Sequence, residues 1–223
     1  MNTRINPARL FLPFTFLCLL LCACGNPGKN DVITLSGATM GTTYEVKFNN
    51  AVTNTDVIAL KNRIDQRLAG INAAMSTYLP DSELSKINRA AAGVWLPLSE
   101  ELYRVIREAL AISAASRGAF DITVGPLVNL WGFGPDGRPL QVPDAATIES
   151  VRAGTGYEKI HLRDAPRALR KDMDTIYLDL SGIAKGYAVD AVAALLEQLS
   201  LQDYLVELGG EVRARGQIGR AHV

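Results

Sequence analysis

The chain has 223 residues, 48% of them hydrophobic, with 23 basic side chains balanced by 23 acidic ones. With no basic excess and no interleaving of basic and aromatic residues, a nucleic-acid partner is not expected. Cys18, Cys22 and Cys24 are the only cysteines and His161 and His222 the only histidines, which excludes a disulfide framework and argues against cysteine-based or multi-histidine metal sites and a Ser/His/Asp triad.

Arg4 and Arg9 precede an apolar run from Leu10 to Leu21, with no acidic residue before Asp31. The run is too short to span a bilayer and has the length of a secretory signal. It ends on Leu21-Cys22-Ala23-Cys24, which resembles a bacterial lipobox and predicts Cys24 as the lipidated first residue of a mature protein. The expected location is the periplasmic side of the cell envelope, on a lipid anchor. Gly25 behind the cysteine leaves inner and outer membrane both open, the inner favoured. Cleavage removes two arginines and no acid, leaving 21 basic against 23 acidic side chains.

Residues 1–23 are thus read as signal, 24–35 as a tether, 36–217 as one domain and 218–223 as a tail. The tail, Ile218-Gly219-Arg220-Ala221-His222-Val223, matches the in-frame translation of a widely used sequencing adapter, so natural sequence is expected to stop near Gln217.

In the domain, residues 42–48 alternate as a half-buried strand. Val57, Leu60, Ile64, Leu68, Ile71 and Met75 recur every three or four residues and predict an amphipathic helix, with Asn54 or Thr55 as its cap. Ser82-Glu83-Leu84-Ser85 suits the start of a short helix. A longer one starts at Ser99, buries Leu102, Val105, Ile106, Ala109 and Leu110, and stops at Gly118. A further short helix is expected over 144–153, then three strands at 158–163, 167–172 and 175–180. A helix after Asp179 and a hairpin of Tyr204 to Leu208 and Glu211 to Arg215 follow. Early helices and late strands predict an α+β fold with mixed or antiparallel sheet layers and packed helices.

The run Asp179 to Asp190, D-L-S-G-I-A-K-G-Y-A-V-D, reads as a strand passing through a Ser-Gly turn into a helix with Lys185 one turn in. Free backbone N–H groups and the positive end of a helix dipole would meet there, which suits a phosphate. Asp179 could face a cation or a ligand hydroxyl, or simply pair with Lys185; the residues favour neither. Asp121, after a helix stop, reads more simply as a cap than as a ligand. Tyr78 reads more simply as a core ring than as a platform for a planar ligand. Thr39-Met40-Gly41-Thr42 reads as the approach to the first strand. Gly132 to Gly137 has the letters G-x-G-x-x-G, but no strand feeds it and no helix follows, so it is a loop and not a dinucleotide fingerprint.

Together, Met40-Gly41-Thr42-Thr43-Tyr44, Met75-Ser76-Thr77-Tyr78, Ser82 to Asn88, Ala119-Phe120-Asp121 through Gly134, Asp179 to Asp190 and Glu207-Leu208-Gly209-Gly210-Glu211 resemble the ApbE family, in family order. The resemblance implies an FAD:protein FMN transferase of T-fold-like architecture, incomplete at its C-terminus. Such an enzyme moves the FMN half of FAD onto a threonine hydroxyl and releases AMP, with Mg²⁺ as cofactor. It further implies that Met40, Tyr78, Ala119, Phe120, Asp121, Asp179 and Lys185 contact FAD. Lys185 and Asp179 would serve the chemistry, and the Gly182 carbonyl would be one magnesium ligand, the others lying beyond the end of this chain. Acceptors in the family are subunits of membrane redox complexes such as the sodium-pumping quinone reductase. A fragment without the remaining ligands is expected to bind Mg²⁺ poorly and to be inactive. The alternatives are a Mg²⁺-dependent FAD pyrophosphatase and a non-enzymatic FAD-binding lipoprotein.

Overall fold

The computed structural model describes residues 32–49, 56–135, 137 and 141–218. The chain order is β1 (Val32–Thr39), β2 (Thr42–Asn49), α1 (Val57–Met75), α2 (Glu83–Arg89), β3 (Leu96–Pro97), α3 (Glu100–Ala115) and α4 (Gly125–Leu130). After these come α5 (Ala145–Arg152), β4 (Ile160–Asp164), β5 (Arg167–Lys171), α6 (Ala184–Gln198), β6 (Tyr204–Leu208) and β7 (Glu211–Arg215). The signal, Cys24 and residues 219–223 lie outside the described residues.

The main sheet is antiparallel, in the order β1-β2-β6-β7. Its period-two pattern is clean in the two central strands. Tyr44, Val46 and Phe48 of β2 stand opposite Leu208, Val206 and Tyr204 of β6, and all six are buried. Both α1 and α6 pack onto the sheet and against each other. The buried stripe of α1 is Leu60, Ile64, Leu68, Ile71 and Met75, as the periodicity predicts, and each such side chain contributes about 1.5–3 kcal/mol by leaving water. A second, three-stranded sheet, β3-β5-β4, packs beside α3.

Four local expectations change. The sheet begins at Val32, so β1 reaches into the segment read as tether, and Met40-Gly41 is the hairpin turn between β1 and β2. The cap of α1 is Asp56, whose carboxylate accepts from the Ile58 and Ala59 N–H groups. Helix α3 stops at Ala115, and the Gly118 N–H closes the turn on the Ser113 carbonyl at 2.8 Å. Residues 175–180 do alternate, with Ile176, Leu178 and Leu180 buried, yet they form no strand. An isolated parallel bridge from Tyr177 to Val124 and the Asp179 N–H bond to the Ile122 carbonyl (2.8 Å) hold one edge.

Candidate functional site

A cavity of about 490 Å³ opens between the C-terminal end of α1 and the turn before α6. One wall is Asn72 and Met75 of α1 followed by Ser76 to Leu79; the other is Ser181, Ala184 and Lys185; Met40 and Gly41 complete it. Its size is within the range of about 300–1,000 Å³ common for small-molecule sites.

The first wall follows from how α1 ends. The Ser76 N–H still bonds the Asn72 carbonyl, but Ser76 is extended, and its hydroxyl accepts from the Tyr78 and Leu79 N–H groups at 3.1 and 3.2 Å. The chain therefore turns outward just past the core. Tyr78 is 60% exposed, its hydroxyl donating to the Phe133 carbonyl at 2.6 Å. The core reading of Tyr78 is overturned: the ring is an open face on the cavity, fixed at its tip. Met40 holds φ of 49°, a left-handed conformation uncommon outside glycine, and this tight turn brings it to the same cavity.

The second wall is the turn into α6. No side chain caps this helix, so its N-terminal end keeps the positive pole of the dipole available. Lys185 lies in the first turn and lines the cavity; no ion pair joins it to Asp179 or another acid among the described residues. Asp179 is buried, at 8% exposure, and accepts from the Ser181 N–H at 2.7 Å, closing an Asx turn. The structural pairing of Asp179 with Lys185 is therefore not formed.

The segment from Ala119 to Asp121 lies behind that turn rather than on the cavity wall. A Cβ at Gly182 would stand 3.1 Å from the Phe120 ring, so glycine allows the ring its close approach. Asp121 accepts from the Thr123 N–H (2.8 Å), the Thr123 hydroxyl (2.7 Å) and the Tyr157 N–H (3.0 Å), which is the capping role its local chemistry favours. Gly182 borders a second hollow of about 400 Å³, shared with Glu108, Asp190 and Glu211. Even so, no three His, Cys, Asp or Glu side chains are grouped to hold a metal among the described residues.

Of the predicted residues, then, Met40, Tyr78 and Lys185 converge on the cavity, while Asp179, Gly182, Ala119, Phe120 and Asp121 form the scaffold behind it. Asn72 escapes sequence reasoning, since an asparagine late in an amphipathic helix carries no signal of its own. Behind α6, the Tyr187 hydroxyl donates to Glu101 at 2.8 Å and Arg67 pairs with the same carboxylate. Burial opposes the charge on Glu101, but its bonds to Arg67 and Tyr187 outweigh that and hold the carboxyl below its usual range.

The profile of the ApbE family matches residues 40–222. An FAD:protein FMN transferase of Vibrio cholerae is 43% identical over 198 residues, covering 89% of this chain and 58% of that protein. One from Haemophilus influenzae is 43% identical over 206 residues, covering 90% and 59%. The chain thus spans under two thirds of the length of these curated relatives. Among solved structures, the flavin transferase ApbE from Vibrio cholerae superposes with a TM-score of 0.80 at 42% identity, covering 83% of this chain and 60% of that one. The apo flavinyl transferase ApbE of Pseudomonas stutzeri gives 0.80 at 36% identity, covering 87% and 64%. With the α+β fold, the order of its motifs and four fifths of its length all agreeing, this chain belongs to the ApbE family.

Proposed function

We propose that this chain carries the FAD site of an FAD:protein FMN transferase. The observation that supports it best is the polarity of the cavity. An aromatic face and Met75 lie on one side, and a lysine with no acid paired to it among the described residues lies on the other, at an uncapped helix N-terminus. A planar ring joined to a pyrophosphate presents matching ends. Lys185 would stabilise charge on the phosphates, Tyr78 would support a ring, and the Asp179 turn would hold the phosphate-facing backbone in place.

In the proposed reaction an acceptor threonine oxygen attacks the phosphorus of the FMN half. A new phosphoester bond forms, the P–O bond to the AMP half breaks, and AMP leaves with the bridging oxygen. The hydroxyl proton passes to solvent or to the leaving phosphate. Bound Mg²⁺ would offset phosphate charge. Among the described residues the Gly182 carbonyl would be one ligand, and no group of three His, Cys, Asp or Glu side chains completes a metal cage.

Incubating the purified chain with FAD, Mg²⁺ and an acceptor subunit of a membrane quinone reductase tests this. Transfer predicts flavin fluorescence that stays with the acceptor through denaturing electrophoresis, together with AMP. Free FMN without labelled acceptor would establish hydrolysis instead, FAD that stays intact but copurifies with the chain would establish binding only, and FAD neither converted nor bound would overturn the reading. We further propose anchoring at Cys24 on the periplasmic side of the envelope, supported by the lipobox-like sequence; Cys24→Ala should abolish incorporation of labelled palmitate.

A further inference from the structure

Three buried polar residues of the motif Ser82 to Asn88 have no place in the site just described. Ser82, Ser85 and Asn88 are 2%, 5% and 7% exposed, and none lines the cavity. Their spacing of three puts them along one side of α2. Buried polar groups are costly unless bonded, so their partners show what they do.

At the N-terminal end of α2, the Ser82 and Ser85 hydroxyls both donate to the Ser76 carbonyl, at 2.5 and 3.2 Å. Ser76 belongs to the first cavity wall. At the other end, the Asn88 side-chain amide donates to the Leu178 carbonyl at 2.9 Å and accepts from the Leu178 N–H at 2.7 Å. This is the two-bond pattern of an antiparallel strand neighbour, supplied by one side chain to a segment with no strand on that edge. Leu178 leads through Asp179 into Ser181 of the second wall. Lys171, fully buried, braces the arrangement by donating to the Asn88 carbonyl (3.0 Å) and the Ile176 carbonyl (3.3 Å).

We propose that α2 sets the separation of the two cavity walls, with Ser82, Ser85 and Asn88 as positioning residues for a ligand that must touch both. A seven-residue helix is about 10 Å long and rigid, so it works as a spacer whose ends are bonded to each wall. The inference rests on the reading of the cavity as an FAD site. FAD spans from the ring face to the phosphate turn, whereas each half of it depends mainly on one wall.

The test is titration of the chain with FAD, FMN and AMP, together with thermal melting. In Ser85→Ala and Asn88→Ala, FAD affinity should fall by about tenfold or more, the effect of one to two lost buried bonds, while FMN or AMP keeps its affinity within about twofold. Ser85→Thr retains the hydroxyl and should bind FAD like the unsubstituted chain. Unchanged FAD affinity in both alanine variants overturns the proposal. Equal weakening of all three ligands with loss of folded protein also overturns it, as does Ser85→Thr failing as badly as Ser85→Ala. If the unsubstituted chain binds no FAD, the reading of the cavity falls first and takes this inference with it.

Discussion

Lys185 is where several local constraints meet. It occupies the first turn of α6, lines the cavity, and runs its stem past Gly209, where a Cβ would lie 3.3 Å from the lysine Cδ and 2.8 Å from the Thr42 methyl. Gly209 also holds φ of 57°, a conformation that costs other residues about 1–2 kcal/mol. With no acid paired to it among the described residues, the ammonium can meet an anion without first giving up a partner. Lys185→Met keeps the stem and removes the charge. FAD affinity should then drop by about tenfold or more while the melting temperature stays put, since a charge-assisted bond contributes about 1.5–3 kcal/mol. Equal affinities in a flavin-fluorescence titration would remove the lysine from binding. Gly209→Ala should lower both stability and affinity, because the new methyl displaces Thr42 and Lys185 together.

Among the elements, α6 matters most, because it carries the phosphate-facing end. Its Tyr187 ties it to α3 through Glu101 and to α1 through Arg67, whose guanidinium lies 5.8 Å from the ring centre. Tyr187→Phe leaves the Arg67–Glu101 pair intact. It should cost about 1 kcal/mol and some 2–4 °C of melting temperature, with little effect on FAD affinity. A loss above about 4 kcal/mol in urea unfolding would show that the hydroxyl holds α6 in place by itself. These elements differ in how readable they are. Helices α1 and α3 were legible because five or six apolar residues in each keep one period, whereas α4, only six residues long, offers no such repeat. Strand β1 was not, because it is an edge strand whose burial alternates but whose inward positions beyond Ile33 and Leu35 are Gly37 and Thr39, which give no hydrophobic contrast. The cap of α1 was obscured by a run of four capping residues, Thr53 to Asp56, in which any one satisfies the local rule. Residues 175–180 had a strand's pattern without a strand's neighbours, because Asn88, 90 residues away in sequence, supplies the bonds on one edge. The residues around Tyr78 favour a core ring, because nothing local tells a ring in the core from a ring just past its edge; only the family resemblance points it to the site.

For the molecule as a whole, Lys171 joins the small sheet, α2 and the turn that carries Asp179. It is fully buried and its bonds go to carbonyls, so burial pushes its ammonium below the usual lysine range, with Asp174 opposing the shift. The unfolded chain, with a lysine near its ordinary value of about 10.4, therefore binds more protons than the folded one between the depressed value and that one. Stability contributed through this residue must rise with pH across that window and level off above it. The slope is at most about 1.4 kcal/mol per pH unit for one proton. Tyrosines blur the effect in the native protein: burial raises Tyr44, Tyr187 and Tyr204, so the folded state keeps phenolic protons that the unfolded state loses above about pH 10, and stability falls there. The difference between the unsubstituted chain and Lys171→Met cancels the tyrosines, which both proteins share. Urea unfolding at pH 7, 8, 9 and 10 should show that difference moving in favour of the lysine as pH rises. Parallel stability curves would mean that Lys171 keeps its ordinary protonation in the folded state, and that the link between the small sheet and the phosphate turn is an ammonium with full charge.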